Sequence, residues 1–166
     1  LVTLFAFGGI YAAGTFGMDF SDLVIFGIGM NVTAGLGATA FAWIDDWAGP
    51  KRTVVISLLC MAVLGSVIIF VDSKAAFLVF TLALGVFVGP TQAASRSMMA
   101  HLAPAAIRTE MFGFYALSGK ATAFVGPAIL AWVTAAADSQ RAGMATIIAF
   151  FLVGLILLLR VPEVRR

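Results

Sequence analysis

The sequence predicts an all-α polytopic membrane protein, a bundle of six transmembrane helices. Three observations carry this. Apolar residues make up 62% of the 166 positions and charged residues only 11%, where a soluble domain carries about 25% charge. With a mean hydropathy of +1.09, a single soluble core of this size has no room for so much apolar surface. A window of about 19 residues finds six apolar segments, at 1–17, 22–44, 53–71, 75–97, 110–134 and 142–160. No stretch alternates apolar and polar residues over about ten positions, as the strands of a membrane barrel would. The separators GMDFSD, DDWAGPKR, VDSKA, HLAPAAIR and AADSQRAG all carry turn or helix-breaking residues.

The first segment is short for a span of about 20 residues. The chain opens on Leu1, with no basic region or cleavage site before the apolar run. It reads as the end of a span whose start lies upstream, not as a signal peptide. The second segment sets Gly27, Asn31, Gly35, Ala38 and Ala42 on one helical face. Close helix packing of the small-xxx-small kind is its expected use. The third holds the single cysteine, Cys60, so there is no disulfide framework, and no cluster of ligands suggests a metal. The fourth repeats the stripe as Thr81, Gly85, Gly89, Gln92 and Arg96. Lipid solvates neither Gln92 nor Arg96, so that face is expected to line a wet cavity. The fifth brings Gly113, Ala116, Lys120, Ala123 and Pro127 together. Gly89-Pro90 and Gly126-Pro127 are expected to interrupt their helices as kinks at membrane depth. The sixth is almost wholly apolar and ends at Arg160.

Lys120 lies within FGFYALSGKATAFVGPAILAWV (112–133). An ammonium group there costs about 2.5–3.5 kcal/mol on an insertion scale, so it calls for a function. The acids Asp19, Asp22, Asp45, Asp46, Asp72, Glu110, Asp138 and Glu163 all sit at span ends or between spans. Glu110, on the same helix, is about 15 Å away along the axis. The partner of Lys120 is therefore expected to be a substrate or another protein segment, unless the amine is neutral. Lys51, Arg52, Arg96, Arg108, Arg160, Arg165 and Arg166 belong to one side of the membrane. Only Lys74 and Arg141 belong to the other, beside Asp19, Asp22, Asp72 and Asp138. The positive-inside rule puts the first side, and both chain ends, in the cytoplasm.

The stretch AWIDDWAGPKR (42–52) resembles the loop motif of major facilitator transporters between the second and third helices of each half. Ala42 stands for the usual Gly, Asp46 (preceded by Asp45) is the acid, Gly49 the turn glycine, and Lys51 and Arg52 the basic pair. Trp47 and Pro50 replace residues that are often basic. The stretch 89–127 resembles the subfamily of fungal vacuolar effluxers linked to autophagy and their bacterial relatives. It does so through Gln92, Ser95, Arg96, Ser97, Glu110, Phe112, Gly113, Tyr115, Ser118, Gly119, Lys120 and Gly126-Pro127. GGIYAAGTFGM (8–18) and NVTAGLGA (31–38) extend the likeness over the whole chain.

That resemblance implies that residues 1–166 are helices seven to twelve of a major facilitator fold, a C-terminal half of two inverted groups of three. Its first partner would be an N-terminal six-helix half. Spans one and four would stand at a central cavity, two and five against the other half, three and six against lipid. Gln92 would lie in or just below the cavity, Lys120 near mid-depth and Arg96 nearer the cytoplasmic gate. Tyr11, Asn31, Thr81 and Tyr115 are further cavity candidates, and Asp46 would meet a helix start of the other half. The function implied is secondary transport of a small solute by alternating access. Efflux of amino acids or related metabolites fits best, with a coupling ion and no cofactor, in a bacterial inner membrane.

A different class remains open: a self-contained six-helix protein, either a channel or a dimerising half-transporter. An intramembrane enzyme lacks support, since no nucleophile–base pair is present and His101 alone supplies neither catalysis nor a metal site. Trp43, Trp47 and Trp132 read as interfacial aromatics, and Met98-Met99 as packing. Partners beyond lipid, solute and the other half are not indicated, and nothing suggests nucleic acid.

Overall fold

The computed structural model describes residues 2–161, so Arg165 and Arg166, used above for orientation, lie outside the described residues. Six α-helices follow in order: α1 (Val2–Phe16), α2 (Phe20–Ala48), α3 (Pro50–Phe70), α4 (Lys74–Leu102), α5 (Arg108–Ala137) and α6 (Gln140–Leu159). A short 3-10 turn, Ala105–Ile107, precedes α5, and no strand occurs among the described residues. Five helices are long and apolar enough to cross a membrane. At 29, 29 and 30 residues, α2, α4 and α5 run about 44 Å, well beyond a hydrocarbon core of about 30 Å. The described course of α1 has 15 residues, about 22 Å, and is shorter than that core.

The corners follow from local chemistry. Gly17, at φ +61°, ends α1, and the Met18 N–H returns to the Ala12 carbonyl at 3.4 Å, the pattern that a left-handed glycine permits. Asp19 and Asp22 form a capping box at the start of α2. The stretch 42–52 is not a loop. α2 continues through Ala48, Gly49 alone breaks it at φ +88°, and Pro50 opens α3, where its missing N–H goes unnoticed. The expected loop is thus corrected to a one-residue corner. Asp45 and Asp46 ride the last turn of α2, and Lys51 and Arg52 the first turn of α3.

Charge separates the two ends of the bundle. At one end, Lys74 Nζ meets Asp22 at 2.5 Å, Arg141 pairs with Asp72, and the Thr15 hydroxyl donates to Gln140 at 3.2 Å. At the basic end, Lys51 Nζ donates to the Val161 and Leu159 carbonyls at 2.6 and 3.4 Å, satisfying the end of α6. Between them lies an aromatic core. Tyr11, Phe16, Phe26 and Phe77 stack with centroids 4.6–5.9 Å apart, beside Met30, Met61, Leu84 and Val88.

The list of contacting helices repeats between the two halves of the chain. α4 packs on α2, α3 and α5; α1 packs on α2, α5 and α6. Exchanging α1–α3 for α4–α6 in order carries each contacting helix pair onto another contacting pair and α3–α6 onto itself, although the α2–α4 and α3–α4 seams are far more extensive than their counterparts α1–α5 and α1–α6.

Candidate functional site

α2 and α4 cross with their backbones close together. A methyl group at Gly37 would lie 1.8 Å from the Val86 carbonyl oxygen, and one at Gly89 would lie 1.9 Å from that of Ala34. Gly85 sits against Thr33 and Met30 in the same seam. Pro90 has no N–H to offer the Val86 carbonyl four residues earlier, and the Cα of Gly37 covers that oxygen, as Cα–H groups do at close crossings. The Gly-Pro steps were expected to interrupt their helices. α4 and α5 stay helical through Pro90 and Pro127, so neither step ends its helix. The stripe on α4 is also split: Thr81, Gly85 and Gly89 pack inward, and only Gln92 and Arg96 are exposed.

α5 is anchored at one end only. Gly126 rests on the Thr3 hydroxyl, Leu130 is buried, and Gly143 of α6 lies under Thr134. From Arg108 to Val125 no residue is buried. Within its most apolar stretch α5 is 11% buried, against 39% for α4. Its free half touches α4 through one well-defined contact, Tyr115 hydroxyl to Ser95 Oγ at 2.7 Å.

That contact fixes where the polar side chains point. At about 100° per residue, Gln92 and Arg96 lie about 60° and 100° around α4 from Ser95, and Lys120 about 140° around α5 from Tyr115. The two helices run in opposite directions, so these rotations lead to the same side of the pair. Along the axes, Gln92 and Lys120 stand within about 3 Å of one level, with Arg96 about 9 Å nearer the basic end than Lys120. Around α2, taking its contact with α4 as the reference, Gly27, Asn31 and Gly35 turn toward this side as well. Gly27 and Gly35 have open space above them, so this part of their stripe does not make the expected packing within this chain; Ala38 of the stripe packs beside Gly89, together with the neighbouring face at Thr33, Ala34 and Gly37. Among the described residues, the side chains of Gln92, Arg96 and Lys120 make no hydrogen bond or ion pair.

The other candidates divide between the core, this open side and the basic end. Thr81 is 4% exposed and its hydroxyl donates to the Phe77 carbonyl at 2.7 Å. Tyr11 is 2% exposed, its hydroxyl buried beside Arg141. Both belong to the core and not to the open face. Asn31 is exposed and folds back to the Gly27 carbonyl at 2.8 Å. At the basic end, Asp45 and Asp46 line a cleft of about 160 Å³ with Thr53 and Pro90, and one Asp45 oxygen is buried without a hydrogen bond. His101 bonds the Ser97 carbonyl at 2.8 Å, a local use. Sequence reasoning missed two features. Gly37 lies off the stripe singled out on α2, and Gln140 lies over Gly14 at the end of an α1 groove of about 630 Å³.

Membrane-length helices with a packed, glycine-lined seam and polar groups gathered on one open side make the build of a polytopic membrane transporter. The whole chain, residues 1–166, matches the family described as Vacuole effluxer Atg22 like. It belongs to that family of MFS-type (major facilitator) transporters, and is therefore an integral, multi-pass membrane protein. It is 30% identical over 94 residues to the "Uncharacterized MFS-type transporter YxiO" of Bacillus subtilis (strain 168), a match covering 57% of this chain and 22% of that protein. The chain thus spans well under half the length of the curated relative that it matches. No solved structure matches it.

Proposed function

We propose that this chain is the C-terminal half of a secondary transporter, with the open side of α2, α4 and α5 bordering the solute path. The observation that carries this is the convergence of Gln92, Arg96 and Lys120 on one side of an α5 that the bundle leaves uncovered. Unsatisfied polar groups facing lipid cost several kcal/mol each, so that side calls for water, solute or another protein segment. An N-terminal six-helix half covers it in our reading, and rocking of the halves about a midplane site gives alternating access. Lys120 anchors an anionic group of the solute or a carboxylate of the other half. The solutes are small metabolites such as amino acids, moved outward across a bacterial inner membrane with both chain ends in the cytoplasm. At the cytoplasmic corner, Asp46 faces a helix start of the other half, whose N–H groups favour a carboxylate.

Counterflow separates this reading from a self-contained channel. The full-length protein in liposomes preloaded with a mixture of unlabelled amino acids is expected to accumulate the labelled mixture transiently above its outside concentration, with saturation. Flux that neither saturates nor overshoots would make the protein a channel.

A further inference from the structure

We propose that Tyr115 and Ser95 are positioning residues whose hydrogen bond sets the rotation of α5 and so aims Lys120 at the side of α4 that holds Gln92. The inference rests on the reading above only in taking Lys120 to face the solute.

The free half of α5 has little else to fix its rotation. The helix is held from Gly126 onward by Thr3, Leu130 and the Thr134–Gly143 contact. Pro127, just inside that anchor, offers no N–H to the Ala123 carbonyl and weakens the junction between the held and free halves. Below it, no residue from Arg108 to Val125 is buried. Among the described residues, the Ser95–Tyr115 bond of 2.7 Å is the side-chain hydrogen bond joining this half to α4.

Proton counting gives the bond a direction. The Ser95 hydroxyl donates to the Gln92 carbonyl at 3.0 Å, and a serine has one proton to give. The Tyr115 hydroxyl therefore donates to Ser95 Oγ. The chain Tyr115 to Ser95 to the Gln92 carbonyl ties the orientation of α5 to the helical turn that carries the Gln92 side chain. Phe112 braces the tyrosine ring, edge on, at 6.4 Å.

The consequence for Lys120 is geometric. Its ammonium lies roughly 8 Å from the helix axis, the sum of the Cα radius and the lysine stem. A roll of α5 by about 40° would carry it about 6 Å sideways, enough to break a contact of hydrogen-bond length.

Pulsed spin-label distances test this in the full-length protein in liposomes, with every native cysteine, Cys60 included, replaced by serine and labels at Ala93→Cys on α4 and Ala116→Cys on α5. Both positions are exposed and neither is assigned to solute. The parent should give one narrow distance peak. Tyr115→Phe and Ser95→Ala should each broaden it, the double variant no further, and Ser95→Thr, which keeps the hydroxyl, should restore it. Thr122→Val, which removes only a bond within α5, should leave it narrow. The half-saturating concentration of the labelled amino-acid mixture should rise roughly 3- to 10-fold in Tyr115→Phe, the worth of one hydrogen bond, with the maximal rate within about twofold. An unchanged distance peak in Tyr115→Phe overturns the positioning role and leaves Lys120 as a solute residue untouched. A broadened peak with unchanged half-saturation overturns instead the reading that Lys120 faces the solute.

Discussion

Lys120→Met in the full-length protein should insert as well as the parent or better, while solute exchange falls about 100-fold or more. Insertion improves because the cost of a charge at membrane depth disappears. Exchange falls because removing one partner of a desolvated ion pair typically costs 2–5 kcal/mol or more, much of it from the charge left alone. Snorkelling is the rival account of this lysine. Its stem reaches about 6 Å, whereas the interface is about 15 Å away along α5. Lys120→Arg should rescue only in part, since a planar guanidinium does not reproduce a compact ammonium. The check is the initial counterflow rate per inserted molecule. A wild-type rate for Lys120→Met would reduce the residue to a tolerated passenger.

The second large effect is structural. Gly37→Ala should destabilise the bundle by about 3 kcal/mol, the upper end of what overpacking costs. The new methyl would meet a backbone oxygen 1.8 Å away, which no rotamer change relieves. Gly35→Ala, two positions along α2 with open space above it, should be neutral or stabilising by up to about 1 kcal/mol, as expected for Gly→Ala in a helix. Denaturant titration of helicity in detergent compares the two. Equal midpoints would contradict the seam.

Much of this was legible in the sequence because lipid imposes simple rules. Span number, antiparallel order and the division of charge between the two ends follow from hydropathy and from Lys and Arg placement, and Gln92, Arg96 and Lys120 were recognisable as polar residues at odds with lipid. Other features were not. Glycine at four-residue spacing serves a close helix crossing and a cavity wall equally well, so Gly85 and Gly89 could not be told apart from Gln92 by pattern. Pro90 read as a helix break because the sequence does not show that Gly37, on another helix, shelters the carbonyl it leaves open. AWIDDWAGPKR read as a loop because its charges mask a helix that needs only Gly49 to turn. The Ser95–Tyr115 bond joins residues 20 apart, and serine and tyrosine announce no partner.

The central claim, that the side of α4 and α5 holding Gln92, Arg96 and Lys120 borders a solute path, is tested most directly by two-sided labelling. Full-length protein with every native cysteine, Cys60 included, replaced by serine and a single cysteine at Gly113 or Ala116, both exposed, is exposed to a membrane-impermeant thiol reagent, in right-side-out and in inside-out vesicles. A path used by alternating access predicts that each cysteine reacts from both sides, with the balance shifted toward the cytoplasmic side by Asp46→Asn. Reaction from neither side, with labelling only by a lipid-soluble reagent, would place this face against lipid and contradict the account.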